Sequence, residues 1–153
     1  RMVVQMLMAK SGSIKDEAAF LKHFGITNIN SNFSDTGNRY INIAYELKIV
    51  SGTGNGKFTP NGDISRQEAA TMLRNAAAVF EFVDTKNPAV KFTDIGTVAS
   101  WALGGVNFSS ATGIMNGTGN NNFSPLDKYS REQALVTMLN LFNAFPRSYY
   151  ALN

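Results

Sequence analysis

Cysteine is absent from this chain of 153 residues. That excludes disulfides, thiol nucleophiles and thiolate-held metals together. Histidine occurs once, at His23. It falls in a helical pattern that also carries Lys15 and Lys22, far in sequence from any candidate nucleophile, and reads as a surface residue. Charge is scarce at 16% of residues against 44% hydrophobic, a balance too apolar for disorder and suited to a folded domain. The carboxylates show no pairing that would suggest a glycosidase dyad, so the chain does not read as an enzyme. The formal net charge is +3, but Lys and Arg are scattered singly. A nucleic-acid groove shows clustering, so nucleic acid ranks low as a partner, and the diffuse positive bias suits an acidic polymer better. No segment approaches the ~20 apolar residues of a membrane helix, which argues against membrane insertion.

What the chain does contain is itself, twice. Residues 49–69 and 114–134 align without a gap and share ten of 21 positions, where chance gives about one or two. This is an internal repeat. It extends upstream, because Phe33-Ser34-Asp35 answers Phe92-Thr93-Asp94. Between this FxD element and the glycine-rich turn the second copy is six residues longer, and the extra stretch holds Trp101, the sole tryptophan.

Each copy predicts the same series of elements. FxD is followed by an amphipathic helix, with Tyr40, Ile43, Ala44 and Leu47 in one copy and Trp101, Leu103, Val106 and Phe108 in the other. A glycine turn closes it (GTGNG at 52–56, GTGNN at 117–121). Phe58 and Phe123 are expected to plug the space beneath the turn, and Pro60 and Pro125 restart the chain. A longer helix then opens at Ser65 or Ser130. Each serine is an N-cap with Glu68 or Gln133 three residues on, a capping box. Core-facing spacing follows in Ala69, Met72, Leu73, Ala76, Val79 and Phe80, and in Ala134, Leu135, Met138, Leu141, Phe142 and Phe145. Residues 1–9 read as a third such helix, and residues 14–29 as a connecting helix, with linkers near 10–14 and 83–91. The fold class is all-α, and three similar long helices suggest a three-helix bundle with pseudo-threefold symmetry.

Several residues carry two readings at this point. Arg66 and Arg131 occupy the first helical position after each cap, where a cation opposes the helix dipole by ~0.3–1 kcal/mol. Either each forms an anion site with the free amides of the helix start, or each pairs with an FxD aspartate, Asp35 or Asp94. Those aspartates also suit the role of capping the helix that follows them. Trp101 reads as core or inter-repeat packing, or as a platform for a sugar face. The glycine turns match neither a Walker loop nor a dinucleotide fingerprint, and they lack the carboxylates of a calcium loop. They read as tight turns with positive φ whose amides can still grip a carboxylate. No cofactor and no metal site is expected.

The combination of FxD, a helix, Gly-Ile or Ile followed by GTGN, then F-x-P and Ser-Arg opening a long helix resembles the S-layer homology family. Residues 33–82 and 92–145 cover two repeats, and residues 1–29 resemble the C-terminal part of a truncated first repeat and its connecting helix, one compact domain overall. The resemblance implies three repeats in a pseudo-threefold array around a three-helix bundle, extracellular and held at the bacterial cell wall. It implies noncovalent anchoring to secondary cell-wall polysaccharide, often pyruvylated, in grooves between repeats, with other surface-layer proteins as further partners. Arg66 and Arg131 would meet the pyruvate carboxylate. Gly52, Thr53, Gly117, Thr118, Asp35, Asp94 and Trp101 would line the walls. The departures are Asn55 and Asn120 in place of the turn aspartate, Gln133 in place of glutamate, and no tryptophan in residues 33–82. A structural or assembly module with degenerate grooves, joining protein to protein, is the alternative.

Overall fold

The structure, a computed structural model, describes residues 1–11, 16–27, 29–30, 32–82 and 90–145. Among them it contains six α-helices and no strand, only isolated bridges, two within the glycine turns and one between Ser65 and Lys128. The helices are α1 (Met2–Lys10), α2 (Glu17–His23), α3 (Arg39–Glu46), α4 (Arg66–Ala78), α5 (Leu103–Ala111) and α6 (Arg131–Ala144). None is long and apolar enough to cross a membrane. The all-α expectation holds. The connecting helix is shorter than the span 14–29: Gly25, at φ +65, ends it just past His23, a left-handed turn that glycine adopts without cost. Residues 12–15, 28 and 83–89, which include most of both linkers, lie outside the described residues.

The described chain divides into two compact units, Arg1–Gly62 and Asp63–Phe145. The boundary does not follow the sequence repeat. It falls between the Phe-x-Pro segment and the long helix of the first full copy, so each unit pairs a long helix with the FxD element, short helix and glycine turn that come after it.

In the first unit α1 packs against α3. Val4, Leu7, Ile43 and Ile49 are buried between them and around them. Arg1 stacks over the Tyr40 ring at 5.6 Å, and Arg39 of α3 forms an ion pair with Glu17 of α2. Asn38 caps α3 by accepting the Tyr40 amide at 3.0 Å.

In the second unit α4 packs against α5. Ala69, Ala70, Leu73, Ala76 and Ala77 of α4 and Val106 and Phe108 of α5 form its core with Ile114, Met115 and Phe123. The approach is near backbone contact. A Cβ on Gly105 would stand 2.7 Å from the Thr71 Cα, closer than side chains pack. Both predicted capping boxes are present, Ser65 with Glu68 and Ser130 with Gln133.

The core expected of α6 is only half right. Leu141 and Phe145 are buried, but Leu135 is 61% exposed and Phe142 36%. Val136 and Leu139 stand out beside them. Their equivalents on α4, by the 65-residue offset, are Ala70, Thr71, Arg74 and Ala77, and three of these meet α5 directly: Gly105 rests on Ala70 and Thr71, and Gly104 on Arg74. Among the described residues no short helix follows α6 to cover the corresponding face.

Candidate functional site

The FxD aspartates do not cap the next helix. Asn38 does that for α3, and Asp94 precedes the single turn Ile95–Thr97 without a side-chain cap bond. Each carboxylate instead reaches downstream to the end of its own glycine turn. Asp35 accepts the amides of Phe58 at 2.9 Å and Thr59 at 2.8 Å. Asp94 accepts those of Phe123 at 2.9 Å and Ser124 at 2.7 Å. The six extra residues of the second copy lengthen the span without altering this clamp.

The clamp has a conformational task. Thr59 and Ser124 sit at φ 58 and 56, a left-handed conformation that costs a non-glycine residue roughly 1–2 kcal/mol and is rarer still for a β-branched one. Two charge-assisted hydrogen bonds per carboxylate offset that strain. The Phe58 and Thr59 amides hold Asp35 below the usual carboxylate range. For Asp94 burial pushes upward, but the Phe123 and Ser124 amides and the Arg66 charge outweigh it and leave the group lowered.

The turns are tied to themselves. In each, Asn55 or the pair Asn120 and Asn121 takes positive φ, and an amide closes the loop: Lys57 to the Gly54 carbonyl, Asn122 to that of Gly119, both 2.9 Å. The Thr53 hydroxyl shares a 2.9 Å hydrogen bond with that of Thr59, and Thr118 shares one of 2.6 Å with Ser124. The first glycine of each turn makes room for the FxD ring. A Cβ on Gly52 would meet Phe33 at 2.5 Å, and one on Gly117 would meet Phe92 at 3.0 Å. Phe33 stacks obliquely on Phe58, and Phe92 on Phe123, at 5.3 and 5.5 Å between centroids. Phe123 is fully buried, as its plug role requires, and Phe58 is half-buried.

The two arginines stand in different surroundings, and neither forms an ion pair with an FxD aspartate. Arg66 is 5% exposed. Its Nε donates to the Phe123 carbonyl at 2.8 Å and its Nη2 to the Asn116 carbonyl at 2.7 Å. The guanidinium lies over the Phe123 ring at 4.8 Å, a cation–π contact. Burial lowers its pKa, opposed by the charges of Tyr129, Asp127 and Asp94. The start of α4 is not open to an anion through its backbone, because the Arg66 amide donates to Asp127 and the Gln67 amide to Pro125, each at 3.0 Å. The long helix of one copy is thereby fastened to the turn of the next.

Arg131 is exposed. Among the described residues its guanidinium has no ion pair or hydrogen bond, and the Arg131 amide at the start of α6 finds no acceptor, while the Glu132 amide meets its own carboxylate. Glu132 beside it is held below its ordinary pKa by the Ser130 hydroxyl first and by the Arg131 charge last. Of the two readings of these arginines, pairing with an FxD aspartate is seen at neither, and an open helix start is seen at α6 and not at α4.

Trp101 is not core. It is 58% exposed. The buried stripe of its segment is Ala102, Val106 and Ser109, and a residue one step before Ala102 falls off that face. The strand of chain that presents it is held by Gln67, whose Oε1 accepts the Ala99 amide at 2.9 Å. Gln67, Asn116 and the backbone of Phe123 were not singled out by sequence. The only hint was that positions 116 and 123 lie in the repeated block.

A family model for the S-layer homology domain matches residues 32–70 and 91–135. The chain is 29% identical over 98 residues to an endoglucanase from Bacillus sp. (strain KSM-635), covering 61% of this chain and 10% of that protein. It is 30% identical over 115 residues to an amylopullulanase from Thermoanaerobacterium thermosulfurigenes, covering 71% of this chain and 6% of that one. The chain thus spans a tenth or less of the curated relatives it matches. Two family matches that together take in more than half of its residues, each running from an FxD element through a clamped glycine turn into a capped long helix, place this chain in the S-layer homology domain family, whose members serve as anchoring modules at the bacterial cell surface.

Proposed function

We propose that this chain retains a larger polypeptide at the bacterial cell wall by binding anionic secondary cell-wall polysaccharide, pyruvylated forms included. The pseudo-threefold array of repeats around their long helices is part of the same reading. The observation that carries it is the start of α6. An exposed guanidinium and the unclaimed Arg131 amide stand together at the positive end of a helix of 14 residues, with no ion pair to Arg131 among the described residues. Such an end favours a carboxylate ligand. Trp101 offers an exposed aromatic face for a sugar ring. Arg66, Asp94, Gly117 and Thr118 act here as the frame that fixes the second turn, with the Arg66 charge adding to the positive field. Asp35, Gly52 and Thr53 frame the first turn in the same way. The enzyme names of the relatives describe those proteins, and no catalytic role is assigned to this chain.

Cosedimentation with purified wall polysaccharide, pyruvylated and unmodified, tests this. Arg131→Ala is expected to weaken binding at least about tenfold, equivalent to ~1.4 kcal/mol, without moving the melting temperature. Arg66→Ala is expected to weaken binding while lowering stability, since it removes two buried hydrogen bonds. Wild-type affinity in both variants, or equal affinity for the two polysaccharides, would refute the reading. The assembly alternative is favoured by a separate observation, the exposure of Leu135, Val136 and Leu139 on α6.

A further inference from the structure

Three asparagines of the chain precede a glycine: Asn55, Asn61 and Asn116. Glycine lacks a Cβ, so its amide nitrogen can approach the side-chain carbonyl carbon of the asparagine before it without obstruction. All six residues are exposed, but their hydrogen bonding separates them. The Gly62 amide is engaged and donates to the Thr59 carbonyl at 2.9 Å. The Gly56 and Gly117 amides donate to nothing among the described residues, and the side chains of Asn55 and Asn116 are equally unbound there. What sets Asn116 apart is its backbone carbonyl oxygen, which accepts the Arg66 Nη2 at 2.7 Å. The Asn55 carbonyl accepts no donor among the described residues.

We propose that Asn116–Gly117 is a self-modifying site, where Arg66 promotes loss of the asparagine side-chain amide to leave an isoaspartyl residue. The Gly117 nitrogen gives its proton to solvent. The negative charge is then shared with the Asn116 carbonyl oxygen, the atom that the guanidinium already holds. A charged donor aimed at a developing oxyanion lowers the barrier to forming it. The nitrogen attacks Cγ of Asn116. The N–Cγ bond forms, the Cγ–Nδ2 bond breaks, and the amide nitrogen takes a proton from solvent and leaves as ammonia. A five-membered cyclic imide remains. Water adds to one of its two carbonyl carbons and the ring opens, with no change of oxidation state. Addition at the former backbone carbonyl releases the α-carboxylate and leaves the chain running through Cγ. That carboxylate keeps the oxygen facing Arg66, so the ion pair favours this direction of opening. Over the whole sequence water is consumed and ammonia released. The product carries a longer backbone and a new negative charge at the clasp that fastens α4 to the second turn.

Ageing of the native 153-residue chain in mildly alkaline buffer, below its melting temperature, tests this independently of glycan binding. Peptide mapping with fragment-ion mass spectrometry reads acid in place of amide at each of the three asparagines, and labelling by isoaspartyl methyltransferase reads the linkage. The reference is the same chain in urea, where Arg66 holds nothing and neighbours in sequence alone set the rates. The rate at Asn116 over that at Asn55 is expected to be about tenfold higher in the native chain than in urea. Arg66→Gln, which removes the charge, should return the ratio to its urea value. Asn61 reports any loosening of the fold in that variant, because the Gly62 amide is engaged only while its turn is closed. Where Asn61 accelerates, the wild-type comparison of native and urea ratios decides by itself. A native ratio at or below the urea ratio overturns the proposal, and means that the Arg66 hydrogen bond restrains the peptide plane rather than activating it. So does an Arg66→Gln chain that keeps the native ratio while Asn61 stays slow.

Discussion

Adding one methyl group to each of two neighbouring glycines should have opposite effects. Gly104 and Gly105 are the second and third residues of α5. At Gly105 a Cβ would meet the Thr71 Cα and amide nitrogen at 2.7 Å and the Ala70 carbonyl carbon at 2.8 Å. All three atoms belong to the α4 backbone, so relief requires moving a helix. Overpacking of this kind costs about 1–3 kcal/mol, and contact with backbone argues for the upper end. Alanine returns ~1 kcal/mol of helix propensity, leaving Gly105→Ala destabilised by about 2 kcal/mol. At Gly104 the nearest atom is the Arg74 Nε at 3.6 Å, an ordinary contact with a flexible side chain. Gly104→Ala therefore keeps the propensity gain and should be stabilised by ~0.5–1 kcal/mol. For a chain of this size these figures correspond to a melting temperature lower by about 4–8 °C and higher by about 1–4 °C respectively. Thermal unfolding followed by far-ultraviolet circular dichroism reads both. If the two variants shift in the same direction, the close approach of α4 and α5 is not what holds the second unit together. The seat of Arg66 against the second turn would then need another explanation.

Two further outcomes follow from the clamps and caps. Asp94→Ala should cost about 1–2 kcal/mol after allowance for solvent screening, and Asp35→Ala less, because Asp35 is more exposed. Both carboxylates have folded pKa values below the ordinary 3.8, so the unfolded chain binds more protons in acid. Their contribution is full above about pH 4 and is lost as pH falls through the lowered folded values. Urea midpoints between neutral pH and about pH 2.5 should fall less steeply in the Asp94 variant than in the wild type, and parallel curves would contradict this. Ser65→Ala and Ser130→Ala should each cost ~1 kcal/mol. Equal stability of either variant with the wild type by the same urea titration would mean that its capping box contributes nothing.

The long helices and their starts were legible because a capping serine, an acceptor three residues on and 3.6-residue spacing are local signals. The repeat made the glycine turns and their phenylalanine plugs legible as well, since two copies agree where structure demands it. The role of the FxD aspartate was not, because its partners lie 23 residues downstream in one copy and 29 in the other. No periodic pattern links such positions. The same holds for Arg66, whose acceptors are the carbonyls of Asn116 and Phe123, 50 and 57 residues away. Backbone acceptors leave no mark on side-chain identity. Trp101 and Leu135 mislead for a different reason. Amphipathic spacing tells which side chains can be covered, and it is silent on whether a covering element follows in the chain, as one follows α4 and none among the described residues follows α6.

The boundary between Gly62 and Asp63 has a consequence for how such arrays are lengthened or cut. Residues 33–82 excised alone would carry Arg66 without the turn it braces, and residues 92–145 would carry that turn without Arg66. The inheritable block is one thing and the folding block another, offset by roughly half a period. Two blocks in tandem supply this interlock, as Arg66 and the second turn do here, and a single block does not.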